Sequence, residues 1–396
     1  MREVLVLIAL CCQVAAQAQQ KLVFSNPTGM QRHEVVEIGS VSQVDTLLVI
    51  RDAFGIEQPW QRTSDGKLLL YVSVRPHGEA TYTVDRGRPA TMKSYVFGKY
   101  YPERADDISF ENDRIGFRIY GPETQRRGEK AFGYDLWVKH SSEMLVDSLY
   151  RLEFSLHPEI AELRKQGRMK EADSLTTVTS YHLDHGVGMD GYGVGPTLGC
   201  GTPALMIGDS ICYPWCYDKY EILDNGPLRF TVRLDFGETV VGGQKVREHR
   251  MLTLDRGCNF CKMTVWYDGV KKPVSLAVGI AVRQADTTSV VLGDNYIHYA
   301  DPTIDPQRHN SQIYVATLFP DGVDKTRRLM FDQPIGANAG HALGVVECYM
   351  GQPYTYYAGM AWSDFDVRSS EEWHLRVTRF LRTLAAPLQR LSGGYS

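Results

Sequence analysis

Apolar and polar residues alternate in short bursts along most of this 396-residue chain. Between Arg32 and Val84 the bursts read HEVVEIG, TLLVIRD, LLLYVSV and ATYTV, separated by turn signals such as Asp65-Gly66 and Pro76-His77-Gly78. Runs this short, rich in β-branched and aromatic side chains, predict strands. Ile108 to Tyr120 predicts another strand, with Ile115, Phe117 and Ile119 on one face and Asn112, Arg114, Arg118 and Tyr120 on the other. Phe132 to Val138 (FGYDLWV) predicts a further one. After Pro203 the bursts resume, from LRFTVRLDF to TYYAGMAW, punctuated by Asn225-Gly226-Pro227, Asp255-Arg256-Gly257 and Asp268-Gly269. Helical spacing breaks the pattern twice. His157 to Leu175 is amphipathic through Ile160, Leu163 and Met169 and is interrupted at Gly167. Ser369 to Leu388 carries Trp373, Leu375, Val377, Phe380 and Leu384 on its apolar face. No strand–helix–strand alternation occurs. The expectation is an all-β fold, a large antiparallel β-sandwich with an inserted helix and a C-terminal helix, residues 19–396 forming a single domain.

One stretch fits neither period. Tyr181 to Pro203 (YHLDHGVGMDGYGVGPTLGCGTP) holds seven glycines together with His182, Asp184, His185, Asp190 and Tyr192. Each glycine in a helix costs about 1 kcal/mol relative to alanine, so this stretch is not helical. It can follow an irregular path, admit a ligand close to the backbone and aim a few polar side chains at one point. The bland alternative is a loop whose polar groups satisfy its own backbone. Five ionisable or phenolic groups within His182 to Tyr192 exceed what turn chemistry needs.

Charge and cysteine content narrow the classes. With 43 basic against 47 acidic residues and a net charge of −4, there is no broad electrostatic footprint for nucleic acid. Residues 1–18 read as a secretory signal peptide, with Arg2, an apolar run and Ala16-Gln17-Ala18 as the small-x-small cleavage site. Export to the periplasm or the extracellular space follows, and no later segment is long and apolar enough to span a membrane. Six cysteines remain, too few for a disulfide scaffold in a chain this long, though export admits one or two bridges. The pairs Cys212/Cys216 and Cys258/Cys261 sit in strand-like sequence, which argues against structural zinc.

The polar face predicted around Asn112, Arg114 and Arg118, with Arg104 just before it, suits recognition of a carboxylate or sulfate, because guanidinium groups bind such anions bidentately. Ion pairing with neighbouring carboxylates is the alternative. Trp215 and Tyr217 offer faces for stacking on sugar rings, although aromatics at this density are more often core. His182, Asp184, His185 and Asp190 include donors for zinc or calcium, but adjacent residues on an extended segment point apart. No firm cofactor is expected, and a divalent metal is the alternative left open.

The segments PERADDISFENDRIGFRIYGP, HLDHGVGMDGYGVGPTLGCG and ILDNGPLRF together resemble a family of exported β-sandwich proteins from Bacteroidetes-type polysaccharide utilisation systems, first recorded as a domain of unknown function. The resemblance covers essentially the whole mature chain and is sharpest in the pattern His182-x-Asp184-x-Gly186-x-Gly188-x-Asp190-x-Tyr192-x-x-Gly195. His185 departs from it, standing where a smaller polar residue is expected. The resemblance implies a fold similar to the galactose-mutarotase-like supersandwich. It also implies uronate dehydratase activity on ulvan-type oligosaccharides, a carbon–oxygen lyase reaction giving a 4,5-unsaturated uronate, alongside hydrolases of unsaturated uronates. Such an elimination needs a base for the C5 proton, cations for the carboxylate and a donor for the departing C4 oxygen. His182 and Tyr192 are the candidate proton-transfer pair, Asp190 or Asp184 the group orienting the imidazole, and Arg104, Asn112, Arg114 or Arg118, with Trp215 and Tyr217, the binders of an acidic oligosaccharide. Another glycan-active reaction (epimerase or hydrolase), or a non-catalytic glycan-binding module, are the alternatives.

Overall fold

A computed structural model of the chain describes residues 20–39, 47–302 and 311–391, so the candidate signal peptide lies outside the described residues. The strand bursts fold as antiparallel sheets, and four α-helices occur among the described residues. The fold is all-β with a C-terminal helix, as the alternation predicts. No helix among the described residues is long and apolar enough to cross a membrane.

The first bursts build a small sandwich of their own. Strand Gln20–Ser25 pairs with Glu79–Arg86, and strand Arg32–Glu37 pairs with Leu68–Val74 in the facing sheet. Their alternate residues Leu22, Phe24, Leu70, Val72 and Val84, with Ile50 of strand Leu48–Arg51, close a separate apolar cluster. The strand Gln389–Leu391 returns to the edge of Gln20–Ser25, so the first and last described strands meet here.

The main core lies on one face of an eight-stranded sheet running from Lys219–Asn225 to Val291–Leu292. Two five-stranded sheets pack onto that face. One contains Cys200–Ile207, Val274–Arg283 and Asn338–Tyr349; the other contains Val96–Tyr101, Asp107–Asn112, Gly116–Ile119, Asp135–Lys139 and Gly188–Asp190. Stacked rings tie the layers together, with Phe110 4.8 Å from Phe230 and 5.5 Å from Phe117. On the opposite face of the eight-stranded sheet the helix Ser370–Ala385 buries Trp373 and Val377 against Phe260 and Tyr314. Leu375, expected on that apolar face, is instead exposed, because only the i, i+4 stripe from Trp373 through Val377 meets the sheet. Ser369 caps this helix by accepting from the Glu372 amide at 3.2 Å.

The single strand expected from Ile108 to Tyr120 is a hairpin. Asn112 makes the turn with its side chain, accepting from the amides of Arg114 at 2.8 Å and Ile115 at 2.9 Å. The reversal changes which residues share a face. Ile108 and Phe110, Phe117 and Ile119, Leu136 and Val138, and Met189 point into the core. The other parity carries Asp107, Ser109 and Glu111, then Arg118, then Asp135 and Lys139, then Asp190. Four neighbouring strands thus present one charged face.

Helix Val146–Lys165 covers part of that face, and it begins eleven residues before the expected His157. The cause is tertiary. Glu111 lies beneath the helix start and accepts from the amides of Leu145 at 2.9 Å and Val146 at 2.8 Å, placing a carboxylate on the positive end of the helix. Lys139 neutralises it at 2.6 Å, with both side chains at most 1% exposed. Gly167, at φ +73°, ends the helix where a left-handed residue is needed, and helix Met169–Thr179 follows. The rings of Trp137, Tyr150 and Tyr181 fill the space between helix and sheet.

Removing one member of a buried ion pair leaves an uncompensated charge, which costs about 3–5 kcal/mol. Lys139→Met is therefore expected to lower unfolding free energy in urea by that order. Adding Glu111→Gln to it should cost much less than the sum of the two single changes. Additive losses would show that the pair does not act as a unit.

Candidate functional site

Arg118 stands at the centre of the charged face. Its Nη2 donates to Asp135 Oδ2, its Nη1 lies 2.8 Å from Asp190 Oδ2 and its Nε lies 3.8 Å from Asp107 Oδ2; all four side chains are at most 3% exposed. Tyr120 donates to Asp135 at 2.6 Å and accepts from Arg118 at 2.9 Å. Arg118 Nε and Nη1, Asp107 Oδ2 and Asp190 Oδ2 make no aligned hydrogen bond, so the charges attract one another without satisfying each other's directional needs. Three carboxylates facing one buried guanidinium cannot all stay ionised easily. Burial pushes the Asp107 carboxyl up to about 6, against the pull of Arg118 and Arg104. Burial also holds Asp190 well above the ordinary carboxylate range, with Asp135 adding to the effect.

A strained turn sets the edge of this cluster. The short 3₁₀ turn Pro102–Arg104 runs into Ala105 at φ +52° and Asp106 at φ +65°, two consecutive non-glycine residues in the left-handed region. Neighbours hold them there. Tyr100 donates to Asp106 Oδ1 at 2.5 Å and Tyr217 donates to the Asp106 carbonyl. The strain presents Arg104 over the cluster, 3.9 Å from Asp107, with its Nε donating to Tyr181 Oη at 2.7 Å.

The glycine-rich stretch closes the other side. Gly188, at φ +127°, lies so near strand Asp135–Lys139 that a Cβ there would sit 2.1 Å from the Val138 carbonyl oxygen. Only glycine lets the edge strand Gly188–Asp190 pair at that point. Asp184 fixes the loop before it, accepting from the amides of Gly186 and Gly188 and lying 2.7 Å from His140 Nε2. Burial works against the Asp184 carboxylate, but His140 and those amides hold its pKa below the ordinary value. His185 turns to the Ser180 carbonyl.

His182 completes the group. Its Nδ1 is 3.3 Å from Asp190 Oδ2, and its ring lies 4.3 Å from the Tyr181 ring. Although 47% of the side chain meets solvent, the ring rests on Tyr181 close to two guanidiniums. Burial, then Arg118 and Arg104, push its pKa down to about 4. The imidazole is a free base at neutral pH. In this cluster it is the titratable side chain most open to solvent, since Asp107, Asp135, Asp190 and Tyr181 are all at most 5% exposed.

The structure thus brings together Arg104, Arg118, His182 and Asp190 and separates the other expected residues. Asn112 is fully buried, and its amide donates to the carbonyls of Asp255 and Cys258. It organises the hairpin instead of facing a ligand. Arg114 leaves in the other direction, 2.8 Å from Asp366. Tyr192 is buried in the main core, donates to the Gly199 carbonyl at 3.1 Å and lies under the Arg283 guanidinium. Its hydroxyl does not meet His182. Tyr217 is a buried prop for Asp106 and offers no stacking face to solvent, whereas Trp215 is 57% exposed. The residues that sequence reasoning passed over are Asp107, Asp135 and Tyr181. The signal for Asp135 was a lone acid inside the apolar run FGYDLWV, on the parity of Trp137. Among the described residues, no three His, Cys, Asp or Glu side chains converge to hold a metal, and the six cysteines are free thiols.

A direct check is the titration of His182 followed by NMR. The expected midpoint is near pH 4, and Arg104→Met should move it upward by removing one cation. A midpoint at 6.5 or above in the wild-type protein would contradict this electrostatic account.

The chain is 24% identical over 363 residues to "Uncharacterized protein P7" of Formosa agariphila, covering 88% of this chain and 83% of that protein. Its fold is similar to that of an alpha-mannosidase from Enterococcus faecalis V583, with a TM-score of 0.52 at 10% identity, covering 96% of this chain and 46% of the other. It is also similar to a glycosyl hydrolase family 38 protein from Enterococcus faecalis, with a TM-score of 0.51 at 9% identity, covering 96% and 48%. The likeness is one of fold, and the chain spans about half the length of these solved structures. Residues 25–389 match the family described as "Domain of unknown function (DUF4861)", and the chain belongs to that family.

Proposed function

We propose that this protein is a carbohydrate-active enzyme of the carbon–oxygen lyase type, eliminating water or a sugar across C4 and C5 of a uronate in an acidic oligosaccharide. The observation that carries the reading is His182, a half-exposed free base with a pKa near 4, standing beside Arg104 above a buried guanidinium–carboxylate cluster. Asp190 Oδ2 lies 3.3 Å from His182 Nδ1 without an aligned hydrogen bond, and Nε2, the other ring nitrogen, is assigned as the base. Arg104 donates its Nε to Tyr181 and keeps Nη1 3.9 Å from Asp107, beyond hydrogen-bond reach, so its terminal nitrogens are assigned to the sugar carboxylate.

The reaction then balances within these groups. His182 Nε2 takes the C5 proton, and the C–H electron pair moves into the carboxylate as an enolate that Arg104 neutralises. The pair returns to form the C4–C5 double bond as the C4–O bond breaks. The departing oxygen takes the proton that His182 has just accepted. One imidazole serves both transfers because the other acid/base groups of the cluster are buried. This requires H5 and O4 on the same face of the ring. The 4,5-unsaturated product would be consumed by a hydrolase of unsaturated uronates.

Hydrolysis by paired carboxylates has weaker support. It needs two acids reaching the glycosidic bond from either side, whereas Asp107, Asp135 and Asp190 are buried and turned toward Arg118.

The test follows ultraviolet absorbance of the new conjugated double bond. His182→Ala should lose about 10²–10⁴-fold in kcat. The acid limb of kcat/KM should lie near pH 4, since protonation removes the base only below that point. A limb near 6.5, or full activity in His182→Ala, would overturn the assignment. Uronates of gluco configuration, with H5 and O4 on one face, should be turned over in preference to galacto epimers. The opposite preference would exclude a single shuttle.

A further inference from the structure

A cleft of about 940 Å³ lies between the small N-terminal sandwich, the outer face of the eight-stranded sheet and helix Ser370–Ala385. Ligand sites commonly measure about 300–1,000 Å³, so this one has room for a short oligosaccharide. Its floor is built by register. Thr231 pairs with Thr253, Thr253 with Lys262, and Lys262 with Tyr357, forming one row across four adjacent strands. The intervening positions Val232, Leu252, Met263 and Tyr356 point into the core, so the row necessarily faces outward. Strand spacing of about 4.8 Å makes the row roughly 14 Å long. It displays the Thr253 hydroxyl, an ammonium and a phenol, with Thr231 buried at its inner end.

The charges on the walls are unequal. Arg229 is held by Asp255 at 2.6 Å and Glu37 at 2.6 Å, Arg32 by Glu34 at 2.7 Å and Lys67 by Glu37 at 3.0 Å. Arg256, Lys262 and Arg379 have no carboxylate partner within ion-pair distance among the described residues, and all three line the cleft. Arg256 packs over Tyr71 at 4.1 Å and Tyr95 at 3.5 Å, with its Nε buried and without a hydrogen-bond partner. Three such cations outnumber the one lining carboxylate without an ion-pair partner among the described residues, Asp224, which gives the cleft the electrostatics of an anion site.

We propose that this cleft is a second glycan-binding site, separate from the His182 cluster, that takes an anionic oligosaccharide. The hydroxyl of Thr253 and the phenol of Tyr357 meet sugar hydroxyls, while Lys262, Arg379 and Arg256 meet carboxylate or sulfate groups. The role is to hold a longer chain while another part of the same polymer reaches the cluster. That role rests on the lyase reading; the binding itself does not.

Calorimetric titration separates the two. The probes are a uronate oligosaccharide, its carboxyl-reduced neutral form and a neutral oligosaccharide carrying sulfate esters. The protein is Arg104→Ala, which lacks the anion grip at the cluster. Binding of either anionic probe should persist there and fall roughly tenfold or more when Lys262→Ala and Arg379→Ala are added, the loss expected of a charge-assisted hydrogen bond. Both substituted lysine and arginine are exposed, and circular dichroism checks that the fold is kept. Preference for the uronate or for the sulfated probe identifies which anion the cleft takes. Equal binding of the neutral form, or unchanged affinity in the triple variant, would overturn the proposal. Cleft binding in a wild-type protein that eliminates nothing would overturn the lyase reading alone.

Discussion

The buried guanidinium of Arg118 among Asp107, Asp135 and Asp190 is the interaction on which the rest of this arrangement depends. A charge taken out of water is costly unless it is paired closely. Here the pairing is assembled from four different strands, so any slip in register would leave one ion alone. The cluster therefore constrains the hairpin at Asn112, the edge strand made possible by Gly188 and the strained turn at Ala105 and Asp106. Its incomplete hydrogen bonding is also informative. Buried donors and acceptors without aligned partners mark places where structure has been kept for a purpose other than stability.

The consequence for chemistry is electrostatic. A histidine beside a carboxylate ordinarily becomes more basic. His182 becomes less so, because burial and the nearby cations Arg118 and Arg104 outweigh the Asp135 carboxylate and the Asp190 backbone. Asp190 is itself held toward its neutral form by burial and by competing carboxylates. Burial and the two cations, against the pull of the acids, thus keep the imidazole unprotonated at the surface. Helix Val146–Lys165, anchored by Glu111, walls off one side of this face and shields it from water.

Much of the fold was legible because period-two alternation is strong here and the turns are marked by glycine, proline and asparagine. The hairpin at Asn112 was missed because a side chain makes its turn, with no glycine or proline at its tip to announce it. That one error exchanged the faces of the strand. It put Asn112 and Arg114 at the site and set Asp107 apart from Arg118. The glycine-rich stretch does aim polar side chains at one point, where its His182 and Asp190 meet Arg104 and Arg118. Tyr192 was misjudged because its ten-residue distance from His182 along a flexible stretch says nothing about direction: the backbone turns it under Arg283 into the core. Strand Cys200–Ile207 was hidden for a similar reason, its start lying among glycines that read as loop.

The most direct measurement of the account is a crystal structure of His182→Ala with a gluco-configured uronate disaccharide bound. The account requires the sugar carboxylate at Arg104 and the C5 hydrogen directed at the space vacated by the imidazole, with O4 on the same side. A disaccharide bound with its carboxylate away from Arg104, or with C5 facing away from position 182, would contradict it.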